Sequence, residues 1–304
     1  MHSSMKFRLR PIVFAAAIAL LQATAISAKE APVAQGVAVA AQYDTTHVYI
    51  DDAKNYDAFV NSITATFGGK ASPRISANVM PVPAQTQAQY VWTPVGNLST
   101  FAFQTPIPYP FGQERTGWLV TDMDKALAAA RAAGAEVIVD KVRDPIGLDA
   151  VIQWTGGVKM QLYWHDKAPD YAPLDTVPDN RVYVSREAAD RFVRDFLTFS
   201  HGKVVSDEKK ADAGEIGRPH ETYRRIRIES GFGKMQVLVT DGHLPYPFGH
   251  EITGYEVKDL DATLAKAGAS GAKLLSPRFD GSDRSSAVIE FPGGYVAEVH
   301  AAKR

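Results

Sequence analysis

Two glutamates follow the same rigid loop sequence, and this repetition makes them the first candidates for acid–base chemistry. The sequence Pro-Tyr-Pro-Phe-Gly at residues 108–112 precedes Glu114, and its second copy at 245–249 precedes Glu251. A carboxylate that a lid of this kind carries over a cavity can act as a general acid or base. The alternative is a shared structural role, which two copies of one loop favour because proline and glycine are ordinary turn residues.

The second loop differs from the first by a histidine, because His250 stands where the first copy has Gln113. His220 and His243 can join His250 in a metal site, although their spacing does not demand one. Other catalytic motifs are missing from the sequence: it has no phosphate-binding glycine loop, no nucleophile elbow and no His-Glu-x-x-His. It also has no cysteine, which excludes disulfides, cysteine nucleophiles and thiolate metal sites.

The composition is that of an ordinary globular protein and points to a small-molecule ligand. The chain has 304 residues, of which 45% are hydrophobic and 22% charged, and this length allows roughly two domains. The formal net charge is −1, so no global field attracts the protein to nucleic acid or to anionic lipid. We therefore expect neither of these partners, and the composition does not indicate an oligomeric state.

Residues 1–28 have the layout of a secretory signal peptide. A basic segment at 6–10 precedes an apolar run at 11–21, and small residues then lead to Ala25 and Ala28, after either of which cleavage would fit. The apolar run is shorter than the roughly 20 residues that a membrane span needs, which argues against an uncleaved anchor. The sequence therefore predicts a periplasmic or secreted protein that has no membrane attachment once the signal is removed.

The rest of the chain is an internal repeat. The loop copies at 108–112 and 245–249, and the Gly-Gly pairs at 156–157 and 293–294, are each separated by 137 residues. Self-similarity at one fixed spacing is the mark of a duplicated unit, and about fifty residues align here without a gap. The predicted segments are a linker at 29–42, a first domain at 43–168, a linker at 169–177 and a second domain at 178–304.

Each copy shows the same order of predicted elements, namely a strand, a helix and three strands, repeated twice. In the first copy, alternating residues at 46–50 predict a strand, and helical spacing predicts helices at 53–67 and 123–133. Gly134 then supplies a helix C-cap. The other predicted strands of this copy are 89–95, 98–104, 116–121, 135–140, 148–154 and 158–164.

This order resembles the vicinal oxygen chelate superfamily, which includes glyoxalase I, the extradiol dioxygenases and the bleomycin-resistance proteins. The local signatures are a strand running into Val-x-Asp-x-Asp, at 120–124 and 257–261, and Gly-Gly-Tyr-Val-Ala-Glu-Val at 293–299. The resemblance implies an α+β fold of tandem glyoxalase-like domains, each built from two paired βαβββ modules that form a half-open barrel. It specifies the fold better than the function, because one fold hosts many reactions.

Metal-dependent members of the superfamily bind their ion in the cup, the concave space between the two modules of a domain. The resemblance implies a histidine or glutamine on the first strand, a glutamate on the fourth, a histidine on the fifth and a glutamate on the eighth. The first domain matches at His47, but it has Thr116 at the fifth-strand place and Gln161 at the eighth, and no carboxylate on its fourth strand. His47 remains a candidate general base or proton donor, and the alternative is an ordinary hydrogen-bonded strand histidine.

The second domain departs further from the ligand pattern. Only Glu298 matches, whereas Arg181 stands at the first-strand place and Thr253 at the fifth. We expect a bidentate ion pair between Arg181 and Glu298 to replace the metal, and a hydrogen bond between His47 and Gln161 in the first domain. No cofactor is therefore expected, and a divalent metal is the less favoured alternative.

Strand alternation predicts which side chains share each cup. The first cup is predicted to hold His47, Tyr49, Thr116, Trp118, Gln161 and Tyr163. The second is predicted to hold Arg181, Tyr183, Thr253, Tyr255, Glu298 and His300. Aromatic cavities with polar tips suit a small aromatic or oxygenated ligand, and the alternative is that these rings are ordinary core.

Three functions are compatible with this sequence. The first is an exported lyase, isomerase or dioxygenase that acts on a small organic compound with a degenerate metal site, using His47, Glu114 or Glu251 as catalytic residues. The second is a metal-free protein that binds or sequesters a small aromatic compound. The third is a structural or partner-binding module, since fold alone does not decide function.

Overall fold

The computed structural model describes residues 36–41, 46–50, 53–78, 84–106, 114–169 and 172–303. The predicted signal peptide and the first loop copy at 108–112 lie outside these residues, as does the side chain of Glu114. Within the described part of the chain, no helix has the length and apolar character that a membrane crossing requires.

The first copy folds into one mixed sheet with two helices. Its elements are β1 (Thr46–Ile50), α1 (Tyr56–Phe67), β2 (Lys70–Ala71), β3 (Ile75–Asn78), β4 (Gln85–Thr93), β5 (Gly96–Phe103), β6 (Glu114–Leu119), α2 (Met123–Ala132), β7 (Glu136–Arg143), β8 (Gly147–Gln153) and β9 (Lys159–His165). The strand order is β2-β4-β5-β1-β6-β9-β8-β7, and β3 pairs with β4 beside β2. The first module therefore has four strands after its helix, because two short strands share the length of β4.

The second copy repeats this architecture. Its elements are β10 (Asp179–Ser185), α3 (Arg186–Ser200), β11 (Lys203–Asp212), β12 (Thr222–Ser230), β13 (Gly233–Thr240), β14 (Ile252–Glu256), α4 (Leu260–Ala269), β15 (Lys273–Leu274), β16 (Phe279–Asp280), β17 (Arg284–Glu290) and β18 (Val296–Ala302). The order is β11-β12-β13-β10-β14-β18-β17-β15, with β16 on β17. The predicted α+β class of tandem half-open barrels is confirmed, and the modules of each barrel join through β1–β6 and β10–β14.

The two Val-x-Asp-x-Asp signatures act as helix caps. The Asp122 carboxylate accepts a hydrogen bond from the Lys125 amide at 3.0 Å, and Asp259 accepts one from the Ala262 amide at 2.9 Å. Each bond satisfies an amide that the first turn of a helix leaves without a partner. The signature therefore sets where α2 and α4 begin, and its recurrence reflects a shared structural requirement.

The apolar cores lie on the outer faces of the sheets and are shared between the copies. One core combines α2 and β8 of the first copy with α3 and β13 of the second. The other core combines α1 and β5 with α4 and β18, and in it the ring of Phe59 meets the edge of Tyr295 at 5.9 Å. Because these faces cover each other, the concave faces are left to form the two cups.

Part of the predicted linker packs on the first sheet. The Val39 amide donates to the Leu119 carbonyl at 3.0 Å, and the Thr121 amide donates to the Val37 carbonyl at 2.9 Å. Ala38 lies between these bonds and is buried in the core that the two copies share. Residues 37–39 thus extend the strand region of the first domain.

Candidate functional site

The concave face of the first sheet encloses a cavity of about 400 Å³. Four predicted residues line it, namely His47, Tyr49, Gln161 and Tyr163. They come from β1 and β9, which lie on either side of β6. The cup of the first domain is therefore open, and its volume suits a small organic molecule.

Two other residues predicted for this cup lie on the opposite face, so those predictions were wrong. Thr116 pairs with Thr46 and therefore points to the same face as Thr46, whereas His47, the next residue of β1, points to the other face. Trp118 is in register with Leu162 and packs edge-on against Phe232 at 5.3 Å, in the shared outer core. Since successive strand residues point to opposite faces, an error of one position moves both side chains out of the cup.

The same error affects the second cup. Thr253 is in register with Asn180, which neighbours Arg181 and therefore faces away from it. Tyr255 belongs to the outer core, where its hydroxyl lies 2.9 Å from the Tyr295 hydroxyl. Neither residue lines the second cup.

His47 has a hydrogen-bond partner that the sequence did not predict. Its Nδ1 lies 2.9 Å from the Tyr163 hydroxyl, and the two ring centroids are 4.7 Å apart. The expected hydrogen bond between His47 and Gln161 is therefore replaced by one to Tyr163. An imidazole held by a phenol in a buried site can relay a proton, and both groups face the cavity.

Gln161 brings an amide with unused hydrogen-bonding capacity to the wall of the cavity. The residue is 3% exposed, and no donor among the described residues reaches its Oε1. A buried amide group without a partner costs free energy. A bound molecule with a polar group can recover this cost, because rotation of the amide presents either its oxygen or its NH2 group.

Aromatic rings form one side of the cavity. Tyr49 stacks on Phe101 with centroids 5.7 Å apart, and it meets Phe103 at 5.6 Å. Phe101 also lies 5.7 Å from the ring of His47. Phe101 and Ser99 were not among the predicted residues, although they alternate on β5 in register with Tyr49 and His47.

The remaining wall carries two carboxylates and a second histidine, which are Asp144, Asp149 and His165. Burial lowers the pKa of His165, and this effect outweighs the opposing influence of Asp144 and Asp166. The cavity thus combines aromatic rings with polar groups at a few defined points, which is typical of small-molecule sites.

The second cup contains the predicted ion pair. Arg181 Nη1 lies 3.4 Å from Glu298 Oε1, and both side chains are 1% exposed. The pair is confirmed, although it makes one contact where a bidentate one was expected. Burial favours a raised pKa for Glu298, but His300, Arg284 and Arg181 outweigh it and hold the pKa well below its ordinary value.

Further charged and polar side chains contact Glu298 and link it to Asp179. His300 Nδ1 lies 2.7 Å from Glu298 Oε2, and Arg284 Nη2 lies 3.6 Å from Glu298 Oε1. Arg284 Nη1 also donates to Asp179 Oδ2 at 3.1 Å, and Gln236 Nε2 donates to the same oxygen at 2.5 Å. These side chains occupy the centre of the second cup, and beside them lies a cavity of about 240 Å³ that Asp179, Arg284 and His300 line.

Paired strand positions show why the centre of the first cup is open and that of the second is occupied by arginines. Arg225 pairs with Leu238 at the place where the first copy has Ala88. Arg284 begins β17 at the place where the first copy has Gly147. Small residues in the first copy thus leave the space that arginines occupy in the second.

The donor groups of neither cup fit a divalent metal. In the second, guanidinium groups surround Glu298, and a cation there would be repelled. In the first, His47, His165, Asp144 and Asp149 all line the cavity, but no three of these side chains are placed to hold one ion. Among the residues that the structure describes, no three histidine or carboxylate side chains are placed to hold a metal, so His220, His243 and His250 do not assemble a site.

We expect the purified protein to contain less than about one-tenth equivalent of divalent metal, because sites with one or two protein ligands bind weakly. Inductively coupled plasma mass spectrometry after dialysis without chelator measures this content. One full equivalent of Fe, Mn, Zn or Ni would contradict the expectation. Loading with excess Mn(II) before dialysis provides the matched control for metal lost during purification.

The second loop copy packs as part of the structure. Phe248 contacts the cluster of Tyr223 and Leu238 and also the cluster of Ile252 and Val288. It lies beside a further cavity of about 490 Å³ that the loop closes on one side. Burial lowers the pKa of His250. These contacts favour the structural interpretation of the loop, and the catalytic role of Glu114 and Glu251 stays a prediction.

Known structures share this architecture at very low sequence identity. No family model matches the chain, and no curated protein matches it in sequence. A variant of 4-hydroxymandelate synthase from Streptomyces coelicolor is 11% identical, with a TM-score of 0.59 over 88% of this chain and 93% of that one. The 2,3-dioxygenase LapB from Pseudomonas sp. KL28 is 10% identical, with a TM-score of 0.54 over 89% and 96%.

A third structure extends the comparison to a metal-bound protein. The Mn(II)-bound glyoxalase from Novosphingobium aromaticivorans is 11% identical, with a TM-score of 0.51 over 87% of this chain and 82% of that one. Identities at this level establish a common fold and leave the reaction open. The chain shares the tandem-module fold of these three proteins, which confirms the fold that the resemblance of its repeat implied.

Proposed function

We propose that the protein binds a small aromatic compound in the first cup without a metal, and that the second cup serves stability. The observation that carries this proposal is the contrast between the cups. The first encloses about 400 Å³ lined by rings. In the second, buried arginines occupy the corresponding centre, and the cavities of about 240 and 490 Å³ beside them have charged side chains in their walls, Asp179 and Arg284 in the smaller and Glu215 in the larger. An empty cavity lacks the packing contacts that a filled one has. A bound molecule that supplies these contacts is therefore the physical reason for the open space.

The polar groups of the cavity define the ligand further. Tyr49 and Phe101 offer ring faces, on which an aromatic ring packs favourably. Gln161 offers the unused amide, so the ligand carries a hydroxyl, carbonyl or amide group that bonds to it. The ligand class is therefore a small aromatic compound with one polar group.

A second candidate function is metal-independent acid–base catalysis in the same cavity. The observation that favours it is the contact of 2.9 Å between His47 Nδ1 and the Tyr163 hydroxyl. The pair can take a proton from one atom of a bound compound and return it to another, as a lyase or isomerase requires. Liquid chromatography with mass spectrometry of the mixture after incubation separates the two functions, since a binding protein returns its ligand unchanged, whereas a lyase changes the mass of the compound and an isomerase changes its retention time.

Action outside the cytoplasm is part of the proposal. Its support is the sequence of residues 1–28, with a basic segment, an apolar run and small residues at the end. The lack of cysteine suits either redox environment, so it does not decide the compartment. Fractionation of cells that express the full chain, with amino-terminal sequencing of the mature protein, tests this part.

Isothermal titration with benzyl alcohol, benzamide and benzoate tests binding. We expect saturable 1:1 binding of at least one probe, and Phe101→Ala should weaken it about tenfold because ring contact and buried area are lost. Tyr246→Ala provides the control, since Tyr246 is 67% exposed and lies on the second loop. If no probe saturates, or if Phe101→Ala binds like the wild type, the first cup is not the site.

A further inference from the structure

The mouth of the first cavity is apolar. Among the described residues that line the cavity, the exposed ones are Pro73, Ile75, Pro145 and Ile146. Ile75 is 55% exposed and Ile146 is 46% exposed, which places both among the most exposed large apolar side chains of the described chain. We call these four residues the rim. Grouped apolar exposure of this kind marks a contact site more often than isolated apolar residues do.

The rim residues come from opposite edges of the first sheet. Ile75 begins β3, which pairs with β4 through Ala88. Ile146 ends the turn between β7 and β8, at the far side of the strand order. Both residues line one cavity, so they face each other across the open side of the half-barrel. The rim is therefore the route by which a ligand enters or extends outward.

The second copy shows that the fold does not require isoleucine at these places. Glu208 pairs with Arg225 where Ile75 pairs with Ala88. Asp283 stands 137 residues after Ile146. Arg225 Nη2 lies 2.9 Å from Glu208 and 3.4 Å from Asp283, so ion pairs stand where the first copy has its apolar rim. The copies thus differ most clearly in the chemistry of their mouths.

We infer that the ligand of the first cup is an aromatic compound with an alkyl substituent, and that this substituent passes through the rim between Ile75 and Ile146. The inference rests on the proposed function and specifies its ligand class. The aromatic ring and its polar group lie inside, near Phe101 and Gln161. Covering the rim with the substituent removes exposed apolar surface from water, which favours binding in proportion to the area covered.

Titration with benzyl alcohol and its 4-ethyl, 4-butyl and 4-hexyl derivatives tests this inference. We expect affinity to rise about fourfold for each methylene that contacts the rim. The double variant Ile75→Ser with Ile146→Ser should lose most of this rise and keep the affinity for benzyl alcohol itself. Val204→Ser with Val205→Ser is the matched control, because these valines are exposed to a similar degree on β11 of the other copy.

The outcomes separate this inference from the proposed function. If benzyl alcohol and its derivatives all fail to bind, the proposed function falls together with the inference. The inference alone is overturned if benzyl alcohol binds but affinity does not rise along the alkyl series. It is also overturned if affinity rises equally in the rim variant, the double variant Ile75→Ser with Ile146→Ser. Gel filtration adds a third outcome: a dimer that the rim variant converts to monomer assigns the rim to a second copy of the chain and overturns the inference.

Discussion

Glu298→Ala is expected to lower the free energy of unfolding by about 3–5 kcal/mol, because it leaves the buried Arg181 without its carboxylate. Glu298 and Arg181 are each 1% exposed, and Arg284 lies within 3.6 Å of the same carboxylate. In a buried site the solvent cannot replace the lost partner, so the desolvation cost of the Arg181 guanidinium remains uncompensated, whereas Arg284 keeps its ion pair with Asp179. Urea unfolding followed by circular dichroism measures the change.

The first copy offers a matched control for the lost volume. Gln161 occupies the position of Glu298, 137 residues earlier, and is also buried. Gln161→Ala removes a side chain of the same length but breaks no ion pair, so we expect a cost below about 1 kcal/mol. Similar losses for the two variants would show that packing, and not charge, accounts for the effect at Glu298.

The same network gives the protein an acid-sensitive component of stability. The folded state holds the pKa of Glu298 well below the ordinary value of a glutamate, 4.5. A carboxyl group with a lowered folded pKa stabilises the protein above its unfolded pKa, and this contribution is lost as the pH falls through the folded pKa. The wild-type protein should therefore lose stability below about pH 4.5 more steeply than Glu298→Ala does.

The sequence predicted the fold and the ion pair of the second cup because those features depend on local pattern and on comparison of the two copies. The repeat located both domains' elements, and the register of Arg181 and Glu298 with the superfamily positions located their ion pair. The cup residues of β1 and β9 were also predicted, since His47 and Tyr163 lie on strands whose alternation was assigned correctly.

The central strands β6 and β14 could not be assigned in the same way. Residues 116–120 are buried without exception, as are 252–255, because both faces of these strands are covered. A strand that is buried on both faces carries no alternation of polar and apolar residues from which its orientation can be predicted. Only the pairing with β1 and β10 reveals that Thr116 and Thr253 face outward.

The further arginines of the second cup, unlike Arg181, were missed for a related reason. Arg225 and Arg227 alternate with Ile226 and Ile228 on β12, and this pattern is typical of a strand with one solvated face. Arg225 is nevertheless buried, because Glu208, Glu215 and Asp283 surround its guanidinium. The repeat itself held the available signal, because it aligns Arg225 of the second copy with the small residue Ala88 of the first.

That correspondence allows the first cup to be closed by one substitution. Ala88→Phe is expected to weaken binding of the aromatic probes at least thirtyfold, about 2 kcal/mol, because the new ring occupies the cavity that Ala88 lines. The long side chain of Arg225 at the same place in the second copy shows that the backbone accommodates such a group. Since the ring fills an existing void, we expect the free energy of unfolding to change by less than about 1 kcal/mol.

Ser76→Phe provides the control, because Ser76 is exposed on β3 beside Ile75 and does not line the cavity. Isothermal titration should show wild-type affinity for this variant and no measurable affinity for Ala88→Phe. If Ala88→Phe folds normally and still binds the probe, the ligand does not occupy the first cup. The cavity of about 490 Å³ beside the second loop would then be the site, and Phe248→Ala would have to weaken binding.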